Sequence, residues 1–156
     1  MTPQAFETLC HRACLALGLA DPYALGKGHT VTLDEVHLEA QNRLSSPGFL
    51  LLAEIARFPE ETRATVHEHL LALQLSTPDH PNLRFGYHPT RSTTLLCLSA
   101  TPPRNDATPD AWMARLLRDT ASQVRAWRHQ LLESGGKATA APLSSHDFLQ
   151  HASLRA

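Results

Sequence analysis

The stretch GFLLLAEIARFPEETRATVHEHLLALQL, residues 48–75, decides the fold. It opens with an apolar run over 49–53 and Ile55, which predicts a strand covered on both faces, because a strand with one solvated face would alternate apolar and polar residues. Such a strand is expected at the centre of a sheet. Pro59 then predicts a helix start, since its missing N–H costs nothing there, and the two glutamates that follow complement the helix dipole. Leucines carry this second helix to Leu75.

Apolar periodicity predicts three more elements before this stretch. The Thr2-Pro3 pair fits the cap and first position of a helix whose apolar residues recur every three or four positions as far as Leu17. Alternating residues on either side of Asp34-Glu35 predict a hairpin with strands over 31–33 and 36–40. The short loops make these strands and the central strand an antiparallel meander.

Two further strands and a long helix are predicted after the stretch. The runs at 84–88 and 92–99 have strand character and are joined through a Pro-Thr turn. Thr108-Pro109-Asp110 repeats the pattern of a cap and first turn, and an apolar stripe continues the helix to about Ser134. Gly135-Gly136 is expected to end it.

The predicted fold class is therefore α+β, in the order α-β-β-β-α-β-β-α, with a twisted antiparallel sheet flanked by helices. A chain of 156 residues can bury one core without metal or disulfides, and we assign this single domain to residues 1–134. Residues 135–156 are rich in Ala, Ser, Thr and His, and they are predicted to form a flexible C-terminal tail with a short helical tendency over 145–154.

Composition argues against several classes of function. The formal net charge is −1, and no cluster of Lys and Arg interleaved with aromatic residues indicates a nucleic-acid partner. No apolar run approaches the roughly 20 residues that cross a bilayer, so membrane insertion is not expected. Three cysteines, and a first segment without the features of a signal peptide, favour a reducing compartment, and we expect the protein to be cytoplasmic.

The sequence shows no pattern typical of catalysis or metal binding. His67 and His69 are two positions apart, which on a helix places them about 200° apart, so they cannot share a metal as an i,i+4 pair would. Cys10 and Cys14 lie one helical turn apart without a second pair at zinc spacing, which favours a position in the core. The GKGH run at 26–29 lacks the spacing of a phosphate-binding loop. We expect no enzyme activity, no cofactor and no metal.

Taken together, the segments resemble the class I type III secretion chaperones, the Tir-chaperone family. The resemblance spans about residues 3–133, and it rests on the order of elements, on LLLAEIARFPEE, HLLALQL, RFGYH and TTLLCLS, and on a last helix with Trp112 and Trp127. It implies a homodimer that holds the N-terminal chaperone-binding segment of one or more secreted effectors non-globular, stable and competent for export. It also implies contact with the ATPase of the secretion apparatus. The chain departs from the family in its near-neutral charge and in its length beyond Gly135.

Carried onto this sequence, the resemblance implies two apolar surfaces. Helix one and the meander would form effector-binding grooves through Phe6, Leu9, Leu17, Val36, Leu38, Leu50 and Leu52. Helix two and the RFGYH strand would form the dimer interface through Leu70, Leu73, Phe85 and Tyr87. Grooves would anchor alternate effector side chains, and an exposed sheet edge could accept an added strand. For each single residue, ordinary core packing is the alternative.

Two other classes of function stay open. A dimeric adaptor or regulatory protein of similar fold would bind a folded cytoplasmic partner, whereas a chaperone of this kind binds a segment that is disordered when alone. A small-molecule enzyme would require a deep polar pocket with perturbed titratable groups.

Overall fold

The computed structural model describes residues 1–43, 47–75, 82–103 and 108–133. It is an α+β structure with a five-stranded antiparallel sheet and three helices, as the sequence predicts. The helices are α1 (Pro3–Ala16), α2 (Glu60–Leu75) and α3 (Pro109–Glu133). The strands are β1 (Val31–Leu33), β2 (Val36–Asn42), β3 (Phe49–Ala56), β4 (Leu83–His88) and β5 (Thr93–Ala100), and a short 3-10 turn, Leu25–Lys27, precedes β1. The predicted tail over 135–156 lies outside the described residues.

The helix starts follow the predicted capping chemistry. Thr2 caps α1, because its side-chain oxygen accepts a hydrogen bond from the N–H of Ala5 at 3.2 Å. Pro59 immediately precedes α2, and its carbonyl accepts the N–H of Arg63 at 3.0 Å. Pro59 thus occupies the cap, one residue before the position that the sequence predicts.

The sheet has the strand order β1-β2-β3-β5-β4, so the strand that opens the deciding stretch is central. All four neighbouring pairs are antiparallel. The register aligns Leu38 of β2 with Ala53 of β3, Leu96 of β5 and Phe85 of β4, which places these four side chains on one face. A bulge between Glu54 and Ala56 shifts the register at the end of β3.

α1 and α3 pack on this first face, which we call the covered face. The ring centroids of Phe6 in α1 and Phe49 in β3 are 5.7 Å apart, and those of Phe49 and Trp112 in α3 are 6.1 Å apart. Towards the other end of α3, Trp127 packs edge-to-face on Phe85 at 5.3 Å. The main core lies between these two helices and the sheet.

The second face of the sheet is less buried along β3 than the sequence predicts. Along β3 burial alternates strictly, with Phe49 and Leu51 buried and Leu50 and Leu52 only half-buried. The prediction that β3 is covered on both faces is therefore wrong for the part of the chain that the structure describes. An apolar run also suits a strand that offers its second face to another chain.

The β1–β2 hairpin turns through two residues in left-handed backbone conformations, Asp34 with φ 47° and Glu35 with φ 65°. Two positive φ values match the two-residue hairpin turn that follows the twist of the strands, and Asn-Gly is the preferred pair there. We expect Glu35→Gly to raise the free energy of unfolding by about 1 kcal/mol, because glycine adopts this conformation without steric cost. Urea unfolding would measure the gain.

The matched control for the turn is Thr32→Gly, at an exposed position in the extended strand β1. Glycine should lower stability there, because a strand restricts its large conformational freedom and it has no side chain to pack. A loss of stability in Glu35→Gly would contradict the expected relief of strain in the turn.

Candidate functional site

An apolar strip runs across the middle of the second sheet face, which we call the open face. Leu50 and Leu52 of β3 lie opposite Ser99 and Cys97 of β5, and Leu95 continues the strip along β5. The three leucines and the cysteine are half-buried. Among the described residues, α1 and α3 contact β3 through the rings of Phe6 and Trp112 on Phe49, which lies on the covered face. Leu50 and Leu52 alternate with the residues of that face and therefore lie on the opposite side of the sheet.

Ion pairs border one end of the strip. The Glu54 carboxylate lies 3.5 Å from His37 Nδ1 and 3.9 Å from Arg57 Nε, and the Glu39 carboxylate lies 3.8 Å from Arg91 Nη1. Both carboxylates are largely sheltered, whereas the side chains of His37, Arg57 and Arg91 are exposed. Exposed pairs of this kind contribute little to stability. Their polar groups instead give this end of the apolar strip a charged rim.

A depression of about 420 Å³ lies between the strip and this rim. Leu52 and Leu95 form apolar parts of its lining, and His88 lies beside them. An apolar floor with hydrogen-bonding groups at its margin is suited to an extended peptide, whose alternate side chains face the floor while the others meet the rim.

A second surface is formed where α2 lies along β4, the outer strand of the sheet. The backbone N–H of Phe85 donates to Gln74 Oε1 at 2.8 Å, and His67 Nε2 is 3.1 Å from Thr94 Oγ1. The rings of His67 and Tyr87 are 5.2 Å apart. These polar contacts hold the helix at the sheet edge.

α2 carries apolar residues on two opposite sides. Val66 and Leu70 are buried, on the side that faces the protein. Leu71 and Leu75 are 59% and 85% exposed, and helical geometry projects them roughly opposite Val66. Two large leucines one turn apart in water form an apolar patch, which is typical of a protein contact surface.

The structure separates the seven residues that were predicted to form effector grooves. Four are buried in the core between the sheet and its covering helices: Phe6, Leu9, Val36 and Leu38. Leu17 is half-buried where α1 ends. Leu50 and Leu52 lie together on the open face. The seven residues therefore do not form one continuous surface in the protomer.

The four residues predicted for the dimer interface lie nearer to one another, around the contact of α2 with β4. Leu70 is buried, Leu73 and Phe85 are partly buried against the core, and Tyr87 is exposed. Tyr87 also lies below the guanidinium of Arg63, 5.4 Å from its ring centroid. Their contact with a second copy stays a prediction.

Sequence reasoning did not single out Leu95 and Cys97 on the open face, or Leu71 and Leu75 on α2. The signals were present in the periodicity. The two-residue repeat of a strand puts Leu95 and Cys97 on one side of β5. The 3.6-residue repeat of a helix puts Leu71 and Leu75 away from the buried side of α2. Both β5 and α2 carry several leucines close together in the sequence, so neither repeat is easy to recognise there.

The described residues contain no group of three or more His, Cys, Asp and Glu side chains placed to hold a metal ion. Burial, with smaller effects from Cys14 and then Glu7, raises the pKa of Cys10 to about 12, and burial together with Asp21 raises that of Cys14 to about 11. Both thiols are therefore poor nucleophiles and poor metal ligands. Burial also raises the pKa of Cys97, which lies half-buried on the open face.

In the same described ranges, the helices are too short or too polar to cross a membrane. Comparison with known proteins finds no family model and no curated protein that matches this chain.

His67 is expected to make stability depend on pH. Burial, and then the guanidinium of Arg63, lower the pKa of His67 below its ordinary value of 6.5. The unfolded chain therefore binds a proton more readily, so stability falls as the pH drops below the unfolded value and is fully present above it. The urea midpoint should decrease between about pH 7.5 and about pH 5.5, and His67→Gln should make that decrease smaller.

His29→Gln is the matched control for this measurement, because His29 is exposed in a loop before β1. It should keep the pH dependence of the parent protein. If His67→Gln and the parent lose the same stability between the two pH values, His67 is not the group responsible.

Proposed function

We propose that this protein is a class I type III secretion chaperone. In this proposal it acts in the bacterial cytoplasm as a homodimer, and it keeps the N-terminal chaperone-binding segment of one or more effectors non-globular, stable and competent for export. The observation that carries the proposal is the open face, an apolar strip with a charged rim on a sheet whose other face is covered by α1 and α3. The sequence resemblance described above also supports it.

The open face suits a partner that arrives as an extended chain. Alternate side chains of such a segment would pack on Leu50, Leu52 and Leu95, while those between them point away from the sheet. The exposed cations Arg57 and Arg91 would pair with acidic groups of the segment at the rim. A segment that is disordered before binding can follow a long, shallow surface of this kind.

The apolar patch of α2 supports the second part of the proposal, the homodimer. Leu71 and Leu75 would pack on a second copy of the chain, with Tyr87 of β4 beside them. A two-fold interface repeats the same patch on both subunits. Two open faces in one dimer would then hold two parts of one effector segment.

The proposed activity is binding alone. It involves no catalytic step, no cofactor, no nucleic acid and no insertion into a membrane. The ATPase of the secretion apparatus is proposed as a further partner, which would receive the effector and supply the energy for its export.

Effector capture by an open-face variant tests the proposal. Leu52→Asp puts a charge into the centre of the strip, where an apolar partner could not pair with it. In a pull-down from the native secreting bacterium, we expect the parent protein to retain a secreted protein that Leu52→Asp loses, while the variant stays dimeric. Ala126→Asp, at an exposed position of α3, is the control and should retain the partner. Equal capture by both variants would remove the open face from the proposal.

A further inference from the structure

In the isolated protein, the apolar strip of the open face meets solvent unless another segment of chain covers it. Its leucines are half-buried, and the described elements leave the strip uncovered. The sequence continues for 23 residues after Glu133, the last residue of α3. The position at which α3 ends decides whether these residues can reach the strip.

Near its end, α3 contacts the backbone of the strand that carries part of the charged rim on its other face. Arg128 Nε donates to the carbonyl of Ile55 at 2.6 Å, Nη2 to Glu54 at 3.0 Å and Nη1 to Glu35 at 3.1 Å. Glu54 is also the residue whose side chain forms the rim pairs on the open face. Five further residues of helix, about 8 Å, separate Arg128 from Glu133. Glu133, the last residue of α3, therefore lies about 8 Å along the helix from the contact of Arg128 with the end of β3.

The distance to the strip is short compared with the length of this segment. The five strands span about 20 Å across the sheet. Phe148 follows Ser134 by fourteen positions, and a random coil of that length has an r.m.s. span of about 20 Å, with a limit of about 45 Å when extended. The apolar residues of the segment can thus reach any part of the open face.

The segment and the open face are complementary in chemistry. The sequence SHDFLQHASL, residues 145–154, contains the apolar pair Phe148-Leu149 directly after Asp147. The strip offers apolar area for the pair. The aspartate would compete with Glu54 and Glu39 for the exposed side chains of Arg57 and Arg91, to which these glutamates are paired at 3.9 and 3.8 Å. We propose that residues 145–154 dock on the open face of their own chain, with Phe148-Leu149 against the strip.

This docking does not depend on the proposed function, since it concerns the isolated chain. It would make the segment a competitor for any other chain that binds the same face. An intramolecular ligand is present at a high effective concentration, so even weak contacts would keep it in place.

Cys97 provides the probe, because it lies within the strip, while Cys10 and Cys14 are fully buried. Alkylation by iodoacetamide, followed by peptide mass spectrometry, reports the exposure of each cysteine separately. We expect Cys97 to react about fivefold more slowly in the parent protein than in the full-length double variant Phe148→Asp with Leu149→Asp, because docking hides the thiol for most of the time. Unlabelled Cys10 and Cys14 show in the same spectrum that the variant is folded.

The control is Ala138→Asp with Ala141→Asp, which adds the same two charges outside residues 145–154. It should keep the slow reaction of the parent. Equal Cys97 rates in the parent and the Phe148-Leu149 variant would overturn the proposal. Protection that vanishes on dilution would also overturn it, because it would assign the cover to a second copy of the chain.

Discussion

Changing Leu71 and Leu75 together to aspartate is expected to convert the proposed homodimer into a monomer in sedimentation velocity. Both side chains are largely exposed in the protomer, so the variant should fold normally. In the proposed interface, however, each aspartate would be buried without a partner. We expect the Kd of the dimer to rise about 100-fold or more, which corresponds to about 2.7 kcal/mol of lost association energy.

Leu15→Asp is the matched control, because Leu15 is a leucine that is 56% exposed on α1, a different helix. It should leave the dimer unchanged. A double variant at positions 71 and 75 that sediments as the parent dimer would show that the exposed side of α2 is not the interface. Leu73→Asp also should break the dimer, but Leu73 packs partly on the core, so the two exposed leucines give the cleaner test.

The second large effect is expected at Arg128. Its side chain donates to three backbone carbonyls, those of Glu35, Glu54 and Ile55, and so ties the end of α3 to the hairpin turn and to the end of β3. Arg128→Met keeps much of the apolar stem but leaves these carbonyls without their charged donor. Hydrogen bonds from a charged group are worth about 1.5–3 kcal/mol each, and for this partly exposed set we expect a total loss of about 3 kcal/mol. Urea unfolding measures it.

Arg125→Met separates this effect from a general loss of charge on α3. Arg125 lies one turn earlier on the same helix and is exposed. It should change the unfolding free energy by less than about 0.5 kcal/mol. If the two variants have the same urea midpoint, the three hydrogen bonds of Arg128 do not stabilise the fold.

Local signals were sufficient to predict the elements of the fold. Thr2 and Pro59 marked helix starts because capping chemistry depends on a few neighbouring residues. Asp34-Glu35 marked the hairpin turn, because two strands with alternating residues flank it. The α+β class followed from the order of these elements. All of these signals act over fewer than about ten residues of sequence.

The features that required the structure are contacts between residues far apart in sequence. Nothing local to Arg128 indicates that it bonds the carbonyls of Glu54 and Ile55, more than 70 positions away. The leucine run of β3 was assigned to two covered faces, because sequence alone does not distinguish a face buried by helices from a face open to a partner. For the same reason Phe6 and Leu38 were placed in a binding groove, whereas the structure buries both in the core.

The central claim is that the protein holds an extended segment of an exported protein, and the most direct test is limited proteolysis of the complex purified from the secreting bacterium. Native mass spectrometry gives the stoichiometry of the same sample. We predict two copies of this chain with one secreted partner, in which only an N-terminal segment of the partner resists the protease. A partner that is folded and resistant throughout, or one whose N-terminal segment is cleaved as fast as in the free protein, would contradict the account.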